Sequence, residues 1–235
     1  TLLNLRGNFP TIIIVSTGKV HDVNILDQLS FEAGSFYVFD RAYLDFGRLH
    51  RLHTQRAFFV TRAKQNLKCR RRCSRPIDKS TGLRCDQTII LSGFYSRRDY
   101  PEVLRRISFR DPETKKLYVF LTNNFSEPAL NIAQLYRCCW NIELFFKWIK
   151  QHLRIKAFYG TSENAVRVQV WIAITVYLLV AIFKKSHQLP ASLYTILQVL
   201  SVTFFKKTLH LQAFSQYPLQ TMNPNIKNEP YLPGF

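Results

Sequence analysis

Three short apolar runs constrain this chain more than anything else in it: Thr11–Ser16 (TIIIVS), Phe36–Phe39 (FYVF) and Ala57–Thr61 (AFFVT). All are rich in β-branched or aromatic residues, so each predicts a buried strand. Thr1–Arg6 suits a hairpin partner for the first, with Gly7 and Asn8 in the turn. Between the runs, His21–Leu29 predicts a short helix with apolar Val23, Ile25, Leu26 and Leu29, and Phe46–Thr54 predicts another with Leu49 and Leu52. Strand, strand, helix, strand, helix, strand is an α/β order. The second run feeds directly into Asp40. A carboxylate just past the C-terminal end of a core strand stands where α/β folds place their chemistry.

From about Ala63 to Asn123 the character changes. Lys64, Lys68, Arg70, Arg71, Arg72 and Arg75 put six cations within twelve residues. Then come Thr88–Leu91, Leu104–Phe109 and Leu117–Leu121, separated by turn-like segments such as Ser80–Gly82 and Asp111-Pro112. The pattern predicts an antiparallel β insertion with a basic surface. The basic run reads as a phosphate-contacting segment rather than a merely solvated loop.

Charge points the same way. Lys plus Arg is 33 against 15 for Asp plus Glu, a formal net charge of +18. Ordinary soluble surfaces mix both signs, so this excess favours a polyanionic partner, and the pattern favours nucleic acid over a membrane surface. Five cysteines without regular spacing fit a reducing compartment better than a disulfide scaffold. Cys69, Cys73 and Cys85 lack a clear fourth ligand for zinc, and Asp86 is a poor substitute at a structural site. Val168–Phe183 is sixteen residues without a charge. A membrane span needs about 20, and Arg167, Lys184 and Lys185 flank it closely, so a helix buried in a large core is the favoured reading.

Asn131–Ile155 carries the strongest helical signal. Ile132, Leu135, Cys139, Ile142, Phe146, Ile149 and Leu153 alternate steps of three and four, forming one apolar stripe. Beside it, Tyr136, Glu143 and Lys150 recur every seven residues. On a continuous helix that is nearly one face, spread over about 21 Å, with Cys139 and Lys147 flanking it. Glu143 lies among large apolar residues and needs a cation, a donor or a metal if buried. An intrahelical ion pair with Lys147 is the modest alternative. Gly160 stops this helix, Ser162 and Glu163 open the next, and helices continue to about Phe214 with a break at Pro190. The tail from Tyr217 carries four prolines and suits an irregular segment.

The stretch Tyr136–Lys150 (YRCCWNIELFFKWIK) resembles the Y-R-E-K signature of DDE insertion-sequence transposases, in the insertion-sequence-four group. That signature runs Tyr, two residues, Arg, three residues, Glu, six residues, Lys. Tyr136, Glu143 and Lys150 fall in place, and Cys139 stands where the family has Arg. A second block, Gly18–Asp22 (GKVHD) followed by Tyr37–Tyr43 (YVFDRAY), is similar to the family's region around its second metal-binding Asp, which makes Asp40 that residue. The resemblance extends over nearly Thr1 to Ala181.

It implies an α/β RNase H-like core with an inserted β-rich subdomain and a C-terminal helical part. Residues 1–62 would be the first part of the core, 63–126 the basic insertion, 127–186 the Glu helix and the helix after it, and 187–235 a helical segment and tail. Asp40 and Glu143 would be catalytic and hold two Mg²⁺ or Mn²⁺ ions together with a further Asp. Tyr136 and Lys150 would contact DNA, with Lys147, Arg70, Arg71 and Arg72 beside them, while Cys139 loses the phosphate contact an Arg would make. The partners implied are transposon-end and target DNA and a second copy of the chain, with no membrane. The location implied is the bacterial cytoplasm, at the nucleoid.

The family places its first Asp upstream of a segment like Thr1–Arg6. The acids before Asp40 are Asp22, Asp27 and Glu32, at or beyond the first helix. The first Asp is therefore expected to precede Thr1, and the chain is expected to be N-terminally truncated and inactive alone. His21 and Asp22 either frame the site or serve the start of their helix, where negative charge is favoured. A relic that binds DNA without cutting it, another RNase H-like nuclease and a membrane-bound basic protein are the competing readings.

Overall fold

In chain order the strands are β1 (Leu2–Asn4), β2 (Phe9–Ile12), β3 (Phe36–Phe39), β4 (Phe58–Arg62), β5 (Cys69–Ser74), β6 (Leu83–Leu91), β7 (Leu104–Arg110) and β8 (Leu117–Thr122). The helices are α1 (Phe46–Thr54), α2 (Phe94–Asp99), α3 (Ala129–Arg137), α4 (Trp140–His152), α5 (Glu163–Ser186) and α6 (Leu193–Thr203), with short 3-10 helices at Asp22–Gln28, Arg41–Tyr43 and Lys79–Thr81. The computed structural model describes residues 1–4, 9–15, 21–153 and 159–203. They form two compact units, one of Ile14–Trp140 and one of Thr1–Ile13 with Asn141–Phe235.

The Ile14–Trp140 unit is a six-stranded mixed sheet in the order β3-β4-β8-β7-β6-β5. β3 and β4 run parallel, Phe36 opposite Phe58 through Phe39 opposite Thr61. The other pairs are antiparallel. Side chains alternate between the two faces, as pleated strands require. On β4, Phe59 joins the cluster built with Leu49, Leu52 and Leu26, while Val60 joins the opposite one with Ile132, Ala133 and Phe120. Helix α1 covers the first face. Its N-cap Asp45 accepts from the Arg48 amide at 3.0 Å, satisfying a helix-end donor. Helix α3 covers the second face.

Two buried polar devices tie the sheet to its connections. Asn123 follows β8, where the ladder to β4 has run out. Its side-chain oxygen accepts from the Phe59 amide at 2.9 Å and its Nδ2 donates to the Ala57 carbonyl at 2.8 Å, so one side-chain amide continues the strand pairing. On β7, the Arg105 guanidinium donates two bonds to the Asp86 carboxylate on β6, at 2.8 and 2.7 Å. Both side chains are almost fully buried. The remaining Arg105 nitrogen donates to the carbonyls of Asn124 and Glu127, at 3.3 and 2.5 Å. Asn124 in turn accepts from the amides of Ser126 and Glu127, which shapes the turn leading into α3. At the opposite end of β6, Gly82 has φ +91°, and a Cβ there would stand 2.6 Å from the Arg110 carbonyl oxygen, so the position requires glycine.

Several sequence expectations need correction. As far as Val15 the run Thr11–Ser16 is not a core strand, and Ser16 lies outside the described residues. Phe9–Ile12 pairs with Leu2–Asn4 in a separate two-stranded ribbon, and Thr11 and Ile12 are exposed. Residues 5–8, including the expected turn, lie outside the described residues. The long helix from Asn131 is two. At Cys138 and Cys139 the amides bond three residues back, to the Leu135 and Tyr136 carbonyls at 3.1 and 3.0 Å, and the regular ladder is interrupted. The basic run includes a real edge strand, β5, and the β-rich segment extends the main sheet rather than forming a sheet of its own. Helix α2 was not anticipated.

In the other unit, Phe145 and Ile149 of α4 pack with Ala173, Ile174 and Tyr177 of α5. Ser162 caps α5, accepting from the Ala165 amide at 3.2 Å. This helix is not buried all round as expected. Ala173, Ile174, Tyr177 and Val180 form its one buried line, and Trp171, Ile172, Leu179 and Ile182 are exposed. By length and composition α5 could cross a membrane, yet a single such helix is weak evidence of a span. The expected irregular tail lies outside the described residues.

Replacing Arg105 by Leu should leave the Asp86 carboxylate buried without a cation and destabilise the chain by about 3–5 kcal/mol in denaturant unfolding. The double substitution Asp86→Leu, Arg105→Leu should recover a substantial part of that loss. A double variant no more stable than Arg105→Leu alone would show that the pair is not the source of the cost.

Candidate active site

Asp40 is the first residue after β3, and its place follows from the run Phe36–Phe39 being strand to its last residue. The backbone turns at once into the 3-10 helix Arg41–Tyr43. The Asp40 carboxylate caps that turn, accepting from the Arg41 amide at 2.6 Å. The same oxygen, Oδ1, accepts from the Tyr136 hydroxyl at 3.2 Å. Asp40 is otherwise exposed. One carboxylate oxygen is thus fixed by two donors, while the other receives no hydrogen bond from the described residues.

Tyr136 is 9% exposed. Its ring lies 4.9 Å from that of Phe120 and packs in the cluster beneath α3. Burial first, and then the negative charge of Asp40, holds its phenol well above the usual tyrosine range, so it remains a donor at neutral pH. The ring is not open for stacking on a base, and its hydroxyl can reach a phosphate only by leaving Asp40. Tyr43, in the Asp40 turn, is also shifted upward, by burial and then by the charges of Asp22 and Asp40. Asp22 stands in the first turn of its own 3-10 helix. His21 makes no side-chain cap bond. Cys139 is half-buried against the Tyr136 cluster.

Glu143, Lys147 and Lys150 line one open groove of about 520 Å³ on α4, with Phe146 and Gln151. Glu143 is exposed rather than buried among its apolar neighbours, and among the described residues it makes no ion pair with Lys147. The predicted stripe of Tyr136, Glu143 and Lys150 is divided: the first is in the core of the Ile14–Trp140 unit and the other two are on an exposed face of α4.

Arg70, Arg71 and Arg72 are exposed on the edge strand β5. Arg70 stands opposite Ile90 and Arg71 opposite Ile89, so the two point to opposite faces, and the register shifts between Arg71 and Cys73. They make a charged edge, not one patch. Both carboxylate oxygens of Asp86 are taken by Arg105, which removes it as a partner for the nearby cysteines. The Asp40–Tyr136 bond had one signal in the sequence, the shared motif, but spacing could not show that residues 96 positions apart meet.

Residues 1–179 match the model of the Transposase DDE domain. The chain belongs to this family. It is similar to a putative transposase, y4zB, of Sinorhizobium fredii, 34% identical over 184 residues, covering 77% of this chain and 51% of that protein. It is also similar to a probable transposase for insertion sequence element IS5377 of Geobacillus stearothermophilus, 34% identical over 174 residues, covering 73% and 45%. A putative transposase for insertion sequence element IS4SA of Synechocystis sp. is 24% identical over 215 residues, covering 90% and 57%. The chain thus spans about half the length of the curated relatives it matches.

Transposase DDE domains generally use divalent metal ions. Each of Asp40 and Glu143, taken singly, is an exposed carboxylate, the kind of oxygen donor such an ion takes. Among the described residues, no three His, Cys, Asp or Glu side chains are gathered as a metal site.

Tyr136 and Tyr100 both hold their protons more tightly folded than unfolded. Their contribution to stability is complete below the ordinary phenol value, roughly pH 10, and is lost as pH rises above it. Tyrosinate absorbance should accordingly show a late-titrating component that disappears on unfolding and diminishes in Tyr136→Phe. A phenol population titrating entirely at the ordinary value would contradict the buried Tyr136.

Proposed function

We propose that this chain is the larger part of a transposase catalytic domain performing metal-dependent phosphoryl transfer at transposon ends in cut-and-paste transposition. The observation that carries this reading is Asp40: it stands just past the end of a core strand, one oxygen accepts from Tyr136, the other receives no hydrogen bond from the described residues, and the chain is of the DDE family. On this reading, residues 1–62 and 127–186 belong to an RNase H-like core, 63–126 to its β-rich insertion and 187–235 to a C-terminal helical segment. The partner is DNA, engaged by two copies of the protein, and the setting is the bacterial cytoplasm.

Asp40 and Glu143 are the residues that would hold Mg²⁺ or Mn²⁺. When bound, such ions activate the attacking oxygen and stabilise the leaving one. Tyr136 orients Asp40 by its hydrogen bond, a positioning role. Lys147 and Lys150, beside Glu143, present point charges to the DNA backbone. Cys139 supplies no such charge, so one phosphate contact of the family is missing here. Arg70, Arg71 and Arg72 offer further contacts along the β5 edge.

With two carboxylates assigned, a divalent ion is held weakly, and the 235-residue chain by itself is expected to bind DNA and leave it uncut. Incubation with labelled duplex and Mn²⁺ tests this. Metal-dependent strand cleavage that disappears in Glu143→Ala would refute the inactivity of the chain while supporting Glu143 as a ligand. The DNA reading has its own check. Replacing Arg71 or Arg72 with Ala should weaken duplex binding evenly across sequences and lower the slope of log affinity against log salt by about 1. Binding that ignores both salt and these arginines would dispose of phosphate contacts at this edge.

A further inference from the structure

Helix α2, between β6 and β7, carries two side chains that the core does not use. Phe94 is 79% exposed and Tyr95 69% exposed. Their rings meet edge to face, 5.2 Å apart at 86°. The Arg98 guanidinium lies over the Tyr95 ring at 5.4 Å. Tyr95 thus carries both the Phe94 ring and the Arg98 guanidinium, and Phe94 is the more exposed of the two rings.

The tip is firmly mounted. Tyr100, just past α2, is fully buried, and its hydroxyl is hydrogen-bonded to His53 Nδ1 of α1 at 2.7 Å. On the other side, the Ser92 amide donates to the Lys68 carbonyl at 3.0 Å, which fastens the start of α2 to the beginning of β5. The surroundings are basic. Lys68, Arg97 and Arg98 are exposed there, against Asp99, which is paired with Arg98 at 2.9 Å, and Glu102.

We propose that the α2 tip is a binding surface for unpaired DNA, with Phe94 as a platform on which a nucleobase stacks and Lys68, Arg97 and Arg98 holding the adjoining phosphates. An aromatic face beside cations matches the two parts of a single strand: flat bases open to stacking and a polyanionic backbone. A duplex offers only the second. An apolar protein partner would need the ring pair without the cations. This deepens the DNA reading above by naming a non-duplex segment as the ligand.

Fluorescence anisotropy on the full chain tests it with three labelled oligomers of equal length: poly-dT, the same backbone made abasic, and a duplex. Phe94→Ala should weaken poly-dT binding roughly 5- to 150-fold, the range seen when one stacking aromatic is removed. It should leave the abasic strand and the duplex within twofold, roughly, of the parent, and Phe94→Trp should restore poly-dT binding. Arg97→Ala should weaken all three. If Phe94→Ala weakens the duplex or the abasic strand as much as poly-dT, or leaves poly-dT unchanged, the stacking platform is wrong although DNA remains the partner. If the parent chain binds none of the three at low salt, the DNA reading itself fails with it. If light scattering shows a dimer that Phe94→Ala and Phe94→Trp both dissociate, the tip is a contact between copies and the proposal is overturned.

Discussion

The Asp86–Arg105 pair is the interaction on which the placement of α3 and of Asp40 depends. Two ions almost wholly out of water gain little net stability from meeting, because desolvation consumes most of the Coulomb gain. What they contribute is position. Arg105 has a two-bond partner on β6 and also reaches the carbonyls of Asn124 and Glu127. That fixes the turn into α3. Helix α3 carries Tyr136, and Tyr136 holds Asp40. Asn123 works beside it, carrying the β8–β4 pairing one residue further with its side chain. The position of one exposed carboxylate is thus set by a buried polar network at the far end of the same secondary elements.

Hydrophobic pattern revealed the parts of this arrangement that depend on local composition. Phe36–Phe39, Phe46–Thr54 and Leu104–Phe109 are elements within a residue or so of their expected bounds, because each is apolar on the face that packs and bounded by turn residues. The edge strand β5 was hidden because its residues are mostly charged. An edge strand pairs on one side only and can keep its side chains in water, so its composition resembles a loop. The apolar run at Thr11–Ser16 misled in the opposite direction, since β-branched residues favour extended chain without determining which sheet it joins.

The break at Cys138 and Cys139 explains the largest disagreement. In α3 the buried positions are Ala129, Ile132, Ala133 and Tyr136, and in α4 they are Phe145 and Ile149. Tyr136 and Phe145 are nine residues apart, which on one unbroken helix at 3.6 residues per turn would put them on opposite sides. No single periodicity can bury both. Reading the two segments as one helix assigned Tyr136 to the polar line of Glu143 and Lys150, when its ring is core and its hydroxyl bonds Asp40. The shared motif groups Tyr136, Glu143 and Lys150. It could not say that they stand in different environments, one a buried phenol bonded to a carboxylate and two exposed side chains on α4.

The open edge of β5 has a consequence beyond nucleic acid. Among the described residues β5 is a terminal strand, whose outer row of backbone donors and acceptors another copy's edge could complete, and Arg70, Arg71 and Arg72 sit along it. Two such edges approaching each other bring like charges together. The guard is electrostatic and therefore conditional. Salt that shortens the screening length below about 8 Å, or a polyanion that neutralises the arginines, removes the repulsion and leaves the edge free to recruit a strand. Colloidal behaviour and affinity for polyanions both follow on this edge from the same three arginines, so conditions that alter one alter the other.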